Sequence, residues 1–593
     1  MRISYKNPGL DRVVIAGNVV AGTLVLATFV SLFGFYRPLA DPRILFAVQD
    51  VLLGCFLVEK AIRAINATSL AEYWRANWFE LPLLLLAALA YMVAQGRGEP
   101  PERSWHFTVG LYLILQVISK GSRSMVSLLA IGQDPMRVLI ASFLLLIIGG
   151  AGLLYLPRST VSRANITVID ALFTATSAAC VTGLTVKDIG SEFTFMGQLV
   201  ILLLIQMGGL GIVIFGAVFA MLLGQAFSIR ESAAIQDLLS SRTLNKIPSL
   251  IAFIFAVTIT IEAIGAVCLT GLWPMNPGWR GDRADIWFYS IFHAISAFCN
   301  AGLGLFPDNM APYRRCWQLY LVICPLVILG GLGFGVLYDL GQLIAQRIKS
   351  VVTWALRLET SLFGAPPRRL SLQAKVAIAV SGVLLLGGTV GLMVFERYTA
   401  AGGPGAARDL REAFFHSVMA RTAGFTTVDL GALSDSSKFV LMLLMFIGGS
   451  PGGTAGGVKT VTMAVVVLAV ISTLQRQREL HVFKRTISPS VVSRSLAVIA
   501  MYGAVLFTGL LGLTITERAS DINFLDLTFE ATSALGTVGF STGLTKSLST
   551  GGKLILMTLM LIGRLGPLSL AAALTFSESR PRYSYPPEQI VVG

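Results

Sequence analysis

Apolar runs of membrane length, separated by short charged or Pro- and Gly-rich breaks, fill most of this chain. A helix needs about 20 mainly apolar residues to cross a bilayer. Twelve such runs are read, at approximately 13–35, 44–65, 78–93, 107–118, 138–156, 196–223, 250–272, 317–344, 376–395, 439–474, 491–515 and 554–576. The first exceeds the roughly 7–15 apolar residues of a secretory leader and reads as a retained membrane helix. Among the last eight runs, each odd one is followed by a semi-apolar stretch ending in glycine: 168–183, 286–302, 410–424 and 524–539. Each is too short to span. A re-entrant segment is the alternative, and it is tolerated only where its backbone is buried in protein or lines a wet cavity.

The four stretches resemble one another. Their cores are FTATSAACVTGL (173–184), FHAISAFCNAGL (292–303), FFHSVMARTAGF (414–425) and FEATSALGTVGF (529–540), and their glycines, Gly183, Gly302, Gly424 and Gly539, lie 119, 122 and 115 residues apart. A second landmark follows each by 25, 28, 24 and 24 residues: Gly208-Gly209-Leu210-Gly211, Gly330-Gly331-Leu332-Gly333, Gly448-Gly449 and Gly563-Arg564-Leu565-Gly566. Such spacing marks an internal repeat. Each unit reads as outer helix, short pore helix with loop, and inner helix with a glycine break. Two full spans and a returning loop bring every unit in from the same side, so the repeats are parallel. The expected fold is an all-α polytopic membrane protein with four parallel helix–pore-loop–helix repeats around a pseudo-fourfold pore: 133–240, 241–370, 371–490 and 491–593 with the C-terminal tail. A four-helix membrane module, 1–132, precedes them.

Composition agrees. Of 593 residues 54% are hydrophobic and 13% charged, against about 25% charged in soluble domains, and the mean hydropathy is +0.74. The net charge of +14 has a place in the membrane rather than on nucleic acid. Segments 120–137, 225–249, 345–375, 475–494 and 577–593 hold 19 basic and 7 acidic residues, whereas 157–195, 273–316, 396–436 and 515–551 hold 13 and 15. Basic loops stay cytoplasmic, so the pore loops enter from outside and both termini are expected in the cytoplasm. Four histidines and six cysteines without metal-ligand or disulfide spacing, and no nucleotide-binding glycine motif, argue against an enzyme, and no tightly bound organic cofactor is expected.

A cation leaving water needs oxygens to replace its hydration shell, and backbone carbonyls from four loops supply them. The tripeptides Val181-Thr182-Gly183, Asn300-Ala301-Gly302, Thr422-Ala423-Gly424 and Thr537-Val538-Gly539 offer carbonyls and no carboxylate, which suits a monovalent ion. These filters, the GGLG-type inner helices and the stretch Gly448-Gly449-Ser450-Pro451-Gly452-Gly453-Thr454-Ala455-Gly456-Gly457-Val458-Lys459-Thr460 resemble the Trk/Ktr/HKT superfamily of potassium transporters, closest to the bacterial TrkH and KtrB pore subunits. The match covers roughly 137–576, and ARTAGF (420–425) is among its most distinctive pieces. The resemblance implies K+ uptake across the cytoplasmic (inner) membrane, a homodimer in membrane lipid, and a cytosolic nucleotide-binding ring of the TrkA or KtrA type. It also implies potassium preference from Gly183, since sodium-admitting members tend to carry Ser there. By the same resemblance, the glycine-rich stretch is an intramembrane gate containing Gly452, Gly453, Gly456, Gly457 and Lys459, and Arg564 faces the pore as an electrostatic barrier.

An arginine in the middle of a membrane helix is a functional residue by default. Arg564 has two structural alternatives: pairing with Glu262, or capping by loop carbonyls. Glu262 and Glu530 lie outside the filters and read as structural. In the front module, Phe56, Glu59 and Arg63, together with Asn77-Trp78-Phe79-Glu80, resemble voltage-sensor helices. The fourth segment offers only Lys120 and Arg123, so a degenerate sensor acting as scaffold or modulator is expected. The rival readings are a secondary transporter of another solute, opposed by the parallel repeats, and a sodium-permeable or voltage-gated cation channel.

Overall fold

The computed structural model describes residues 6–70, 100–130, 135–161, 166–211, 247–275, 281–355, 370–399, 409–477, 479–518 and 522–567, with scattered positions between them. Among these the chain is almost wholly helical. Its sheet there is one antiparallel hairpin, Leu480–Val482 with Arg485–Ile487. The fold is that of a polytopic membrane protein.

Five described helices are long and apolar enough to span alone, or six if Leu319–Leu332 and Phe334–Ile348, bent by 106°, count as one. Several of the twelve runs differ for physical reasons. Pro42–Asn66 carries Asp50, Glu59, Lys60 and Arg63 among its apolar residues. The short run at 107–118 is the middle of a 30-residue helix, Pro101–Ala130. Most of the run at 78–93 and the whole Asn77–Glu80 motif lie outside the described residues, as do most of 212–246 and the tail beyond 567. The inner helices are interrupted.

Four times the chain forms an outer helix, a short pore helix and an inner helix. The outer helices are Pro135–Leu154, Ile247–Leu269, Leu372–Thr399 and Pro489–Thr516. The pore helices are Val168–Ala179, Arg283–Phe298, Leu410–Met419 and Phe524–Gly536. The inner helices are Phe195–Leu210, Leu319–Leu332, Asp435–Phe446 and Thr550–Leu565. Helices this short need help at their ends. Each pore helix carries an acidic residue at its third position, Asp170, Asp285, Glu412 and Asp526, and the first two complete capping boxes with Thr167 and Asp282.

The inner helices end where the glycines require it. Gly211, Gly333 and Gly566 adopt φ of 83°, 87° and 83°, a positive-φ conformation open to glycine that ends an α-helix and leaves its last carbonyls without intrahelical donors. The second inner helix holds twelve steps between Gln318 and Gly330 where the first holds ten between Gln198 and Gly208. The π-helical turn Leu319–Ile323 lies within that longer stretch.

Outer and inner helices share one register in all four units. Gly150, Gly265, Gly388 and Gly509 lie directly under Leu204, Leu326, Leu444 and Leu559. Each leucine is four residues before the first glycine of its inner-helix break. Small residues of this kind let membrane helices approach closely.

Candidate functional site

The four tripeptides converge. A Cβ placed on Gly183 would run into the Ala301 carbonyl, one on Gly302 into Ala423, one on Gly424 into Val538, and one on Gly539 into Thr182, which closes a ring. All four glycines have positive φ, 96°, 65°, 72° and 93°, open to glycine without strain. Two residues earlier in each segment, Val181, Asn300, Thr422 and Thr537 also have positive φ (55°, 59°, 74° and 50°), while the residue between does not. Alternating hands of φ turn successive carbonyls to the same side of the strand. Four non-glycine residues held this way cost about 1–2 kcal/mol each, strain of the kind that concentrates at functional sites.

The support behind the ring is built from the pore helices. All four helices end at the ring, so each presents the negative end of its dipole, equivalent to roughly half a charge, where a cation would sit. Ser177 and Ser533 accept from the amides of Gly183 and Gly539 at 3.1 and 3.2 Å. The Asn300 side chain turns away from the ring. With its amide nitrogen assigned to donate to the Ala297 and Val327 carbonyls (3.0 and 3.1 Å), its oxygen faces the Thr422 hydroxyl at 3.4 Å.

The gap-free alignment of the third stretch is one residue out of register. The fully buried aromatic is Phe415, equivalent to Phe173, Phe292 and Phe529, because the third pore helix is one residue closer to its glycine. This aligns His416 with His293 and Glu530. Glu530 accepts from Ser541 Oγ (2.6 Å), the Thr542 amide (3.0 Å) and Thr545 Oγ1 (2.6 Å), while His293 Nε2 accepts from the Leu305 amide at 3.4 Å. These residues fasten the loop after the glycine to the pore helix, the structural role expected for Glu530.

Two ion pairs join neighbouring units. Lys553 at the start of the fourth inner helix meets Asp170 at 3.0 Å, and Lys438 of the third meets Asp526 at 2.9 Å. The matching positions of the first and second inner helices are Gln198 and Gln318. Breaking a mostly buried pair leaves one charge uncompensated, at about 3–5 kcal/mol. Lys553→Met is therefore expected to lower the thermal midpoint in detergent markedly. Asp170→Asn added to it should cost little more, beyond the carboxylate's own capping bond to the Thr167 amide (3.2 Å). Simple additivity in the double-mutant cycle would contradict this pairing.

Between the halves of the third inner helix, the glycine-rich stretch forms a closed loop. Ile447 and Val458 bridge in parallel, and the Gly448 and Thr460 amides donate to Val458 and Gly449 at 2.9 and 3.0 Å. The loop is plugged into carbonyls freed by the second glycine break. Gly331 accepts from the Ser450 amide (2.9 Å), Gly330 from the Thr454 amide (3.3 Å), and Gly452 in turn accepts from the Phe334 amide (2.9 Å). Gly453 packs on Gly330 and Gly333, and Gly456 abuts the Thr537 side chain so closely that no Cβ fits. Lys459 reaches back to the Ala455 carbonyl at 2.7 Å.

Arg564 closes the far side. Its guanidinium donates to the carbonyls of Thr454 in the loop and of Gly208 and Gly209 in the first inner helix. Capping by carbonyls is thus the arrangement found, and pairing with Glu262 is not. Glu262 accepts instead from Gln206 at 3.2 Å and approaches Cys299 Sγ at 3.8 Å.

In the front module, Glu59 accepts from Asn18 (3.0 Å), pairs with Lys120 and Arg63 (2.9 Å each), and Lys120 lies 4.1 Å over the Phe56 ring. Of the residues that the sequence singled out there, Phe56 and Glu59 meet Lys120 of the fourth segment and Arg63 pairs with Glu59, while Asn77–Glu80 and the Arg123 side chain lie outside the described residues.

Comparisons with known proteins point to one family. The family model for TrkH, described as a cation transport protein, matches residues 120–583. The Ktr system potassium uptake protein B of Bacillus subtilis is 38% identical over 77% of this chain and 97% of its own. The potassium/sodium uptake protein NtpJ of Enterococcus hirae is 34% identical over 78% and 97%. The crystal structure of the potassium transporter TrkH from Vibrio parahaemolyticus superposes with a TM-score of 0.58 over 85% of this chain and 99% of that one, at 19% identity, a likeness of fold.

Proposed function

This chain belongs to the TrkH family of cation transport proteins, and from that premise we propose that it takes up potassium across the cytoplasmic membrane through the ring of four tripeptides. The observation that carries this is the ring itself: four strained segments with alternating φ, no carboxylate among them, and four helix dipoles ending on them. A dehydrated monovalent cation is matched by carbonyl dipoles, and four of the eight described non-glycine residues with positive φ lie in the segments that aim them.

In this reading the pore repeats are 133–240, 241–370, 371–490 and 491–593, and 1–132 is a modulating front module. Loop 447–459 with Lys459 and Arg564 is the gate beneath the filter. Both termini are cytoplasmic, and the basic loops face a cytosolic nucleotide-binding ring below a homodimer. The loop's hydrogen bonds with the second and fourth inner helices support the gating role, since a plug tied to two other helices is released when either of them shifts.

The test is growth of a bacterium that lacks its own potassium uptake systems. Expression of this chain with a cytosolic ring subunit should restore growth at low potassium. Well-expressed, membrane-inserted protein without rescue at any potassium concentration that limits the host would overturn the reading.

A further inference from the structure

We propose that Tyr502 is a positioning residue for the gate, its hydroxyl clasping the C-terminal arm of loop 447–459 to the turn that carries Arg564. This rests on the reading of that loop and arginine as the gate. Tyr502 belongs to the fourth outer helix, and its hydroxyl lies 3.2 Å from the Gly457 carbonyl and 3.3 Å from the Gly563 carbonyl. It is 4% exposed.

Both acceptors need a donor. The Gly563 carbonyl would ordinarily take the amide four residues on, but that residue is Pro567, which has none. Gly457 holds φ of 68° at the point where the loop turns back toward Val458 and Lys459. Equivalent carbonyls in the first and second units are met from a distance too: Gly208 by Arg564 and Gly330 by the Thr454 amide. Tyr502 does the same in the fourth. A phenol has a single proton, which the two carbonyls share, so the hydroxyl spans loop and helix only while both stay within reach, and its bond is tied to the docked position of the loop.

The four-unit register says what the hydroxyl adds. Counting seven residues before Gly150, Gly265, Gly388 and Gly509 gives Phe143, Thr258, Ser381 and Tyr502, all buried. Phe143 fills the slot with a bare ring. Ser381 uses it to hold Arg421 of the third segment at 3.0 Å. Tyr502→Phe therefore installs what the first unit already accepts and removes only the clasp.

The experiment is rubidium uptake into proteoliposomes by the purified full chain, for wild type, Tyr502→Phe, Arg564→Ala and the double variant, with sodium competition measured alongside. Loss of one net hydrogen bond should raise basal flux about three- to tenfold with the rubidium-over-sodium preference unchanged. In the Arg564→Ala background the same substitution should add less than its own factor, because the arm is already released. A purely structural role would instead lower flux and thermal midpoint together, and that result overturns the proposal. So does wild-type flux in Tyr502→Phe when Arg564→Ala is raised, and there the gate reading survives. If neither variant is raised, the gate reading falls and the clasp with it. Tyr502→Met, apolar and without the hydroxyl, carries the same expectation if Phe does not yield assembled protein.

Discussion

Arg564→Ala is expected to raise rubidium uptake by about tenfold or more. The guanidinium joins three elements: its own helix, the loop through Thr454, and the first inner helix through Gly208 and Gly209. Hydrogen bonds from a charged donor are worth about 1.5–3 kcal/mol each, and about 1.4 kcal/mol is a factor of ten. Losing even one on the closed side of the equilibrium accounts for the expected rise. Removing a fixed positive charge from the path acts in the same direction. Arg564→Lys separates the two contributions. It keeps the charge but loses the planar fork, so its flux should fall between wild type and alanine. Unchanged or lower uptake by folded Arg564→Ala would remove the barrier role.

The second large effect is on selectivity. At Gly183 a side chain meets two penalties: φ of 96°, and a Cβ only 2.5 Å from the Ala301 carbonyl. Strain of about 1–3 kcal/mol must be relieved by displacing carbonyls in two adjacent segments, which are the groups that would replace an ion's hydration shell. Gly183→Ser is expected to lower the rubidium-over-sodium preference about tenfold while leaving conduction in place. Since each glycine presses on the next segment, Gly302→Ser, Gly424→Ser and Gly539→Ser should act in the same sense. Retention of full preference in all four would mean that the ring does not discriminate ions.

Much of this was legible in the linear pattern because symmetry enforces it. A fourfold ring needs the same residue type at the same place four times, and Gly183, Gly302, Gly424 and Gly539 recur accordingly. The glycine breaks were visible for the same reason, as was the carbonyl-capped alternative for Arg564. What was hidden depends on contacts between units, where no spacing rule applies. Lys553 meets Asp170 across 383 residues, and Tyr502 reads as one more amphipathic residue in a lipid-facing helix until Pro567 is seen to orphan Gly563. The register of the third stretch was misread because two consecutive phenylalanines, Phe414 and Phe415, fit the pattern equally well, and only burial distinguishes them. The partners of Glu530 and His293 were out of reach because they lie in loops without periodicity.

The most direct measurement of the central claim is rubidium uptake into proteoliposomes of the purified full-length chain, with unlabelled competitors on the outside. The account requires that potassium compete strongly and sodium weakly, and that Gly183→Ser narrow the difference. Equal competition by the two ions in the wild-type protein, or no uptake by the folded Arg564→Ala variant, would contradict a potassium pathway through the four-carbonyl ring.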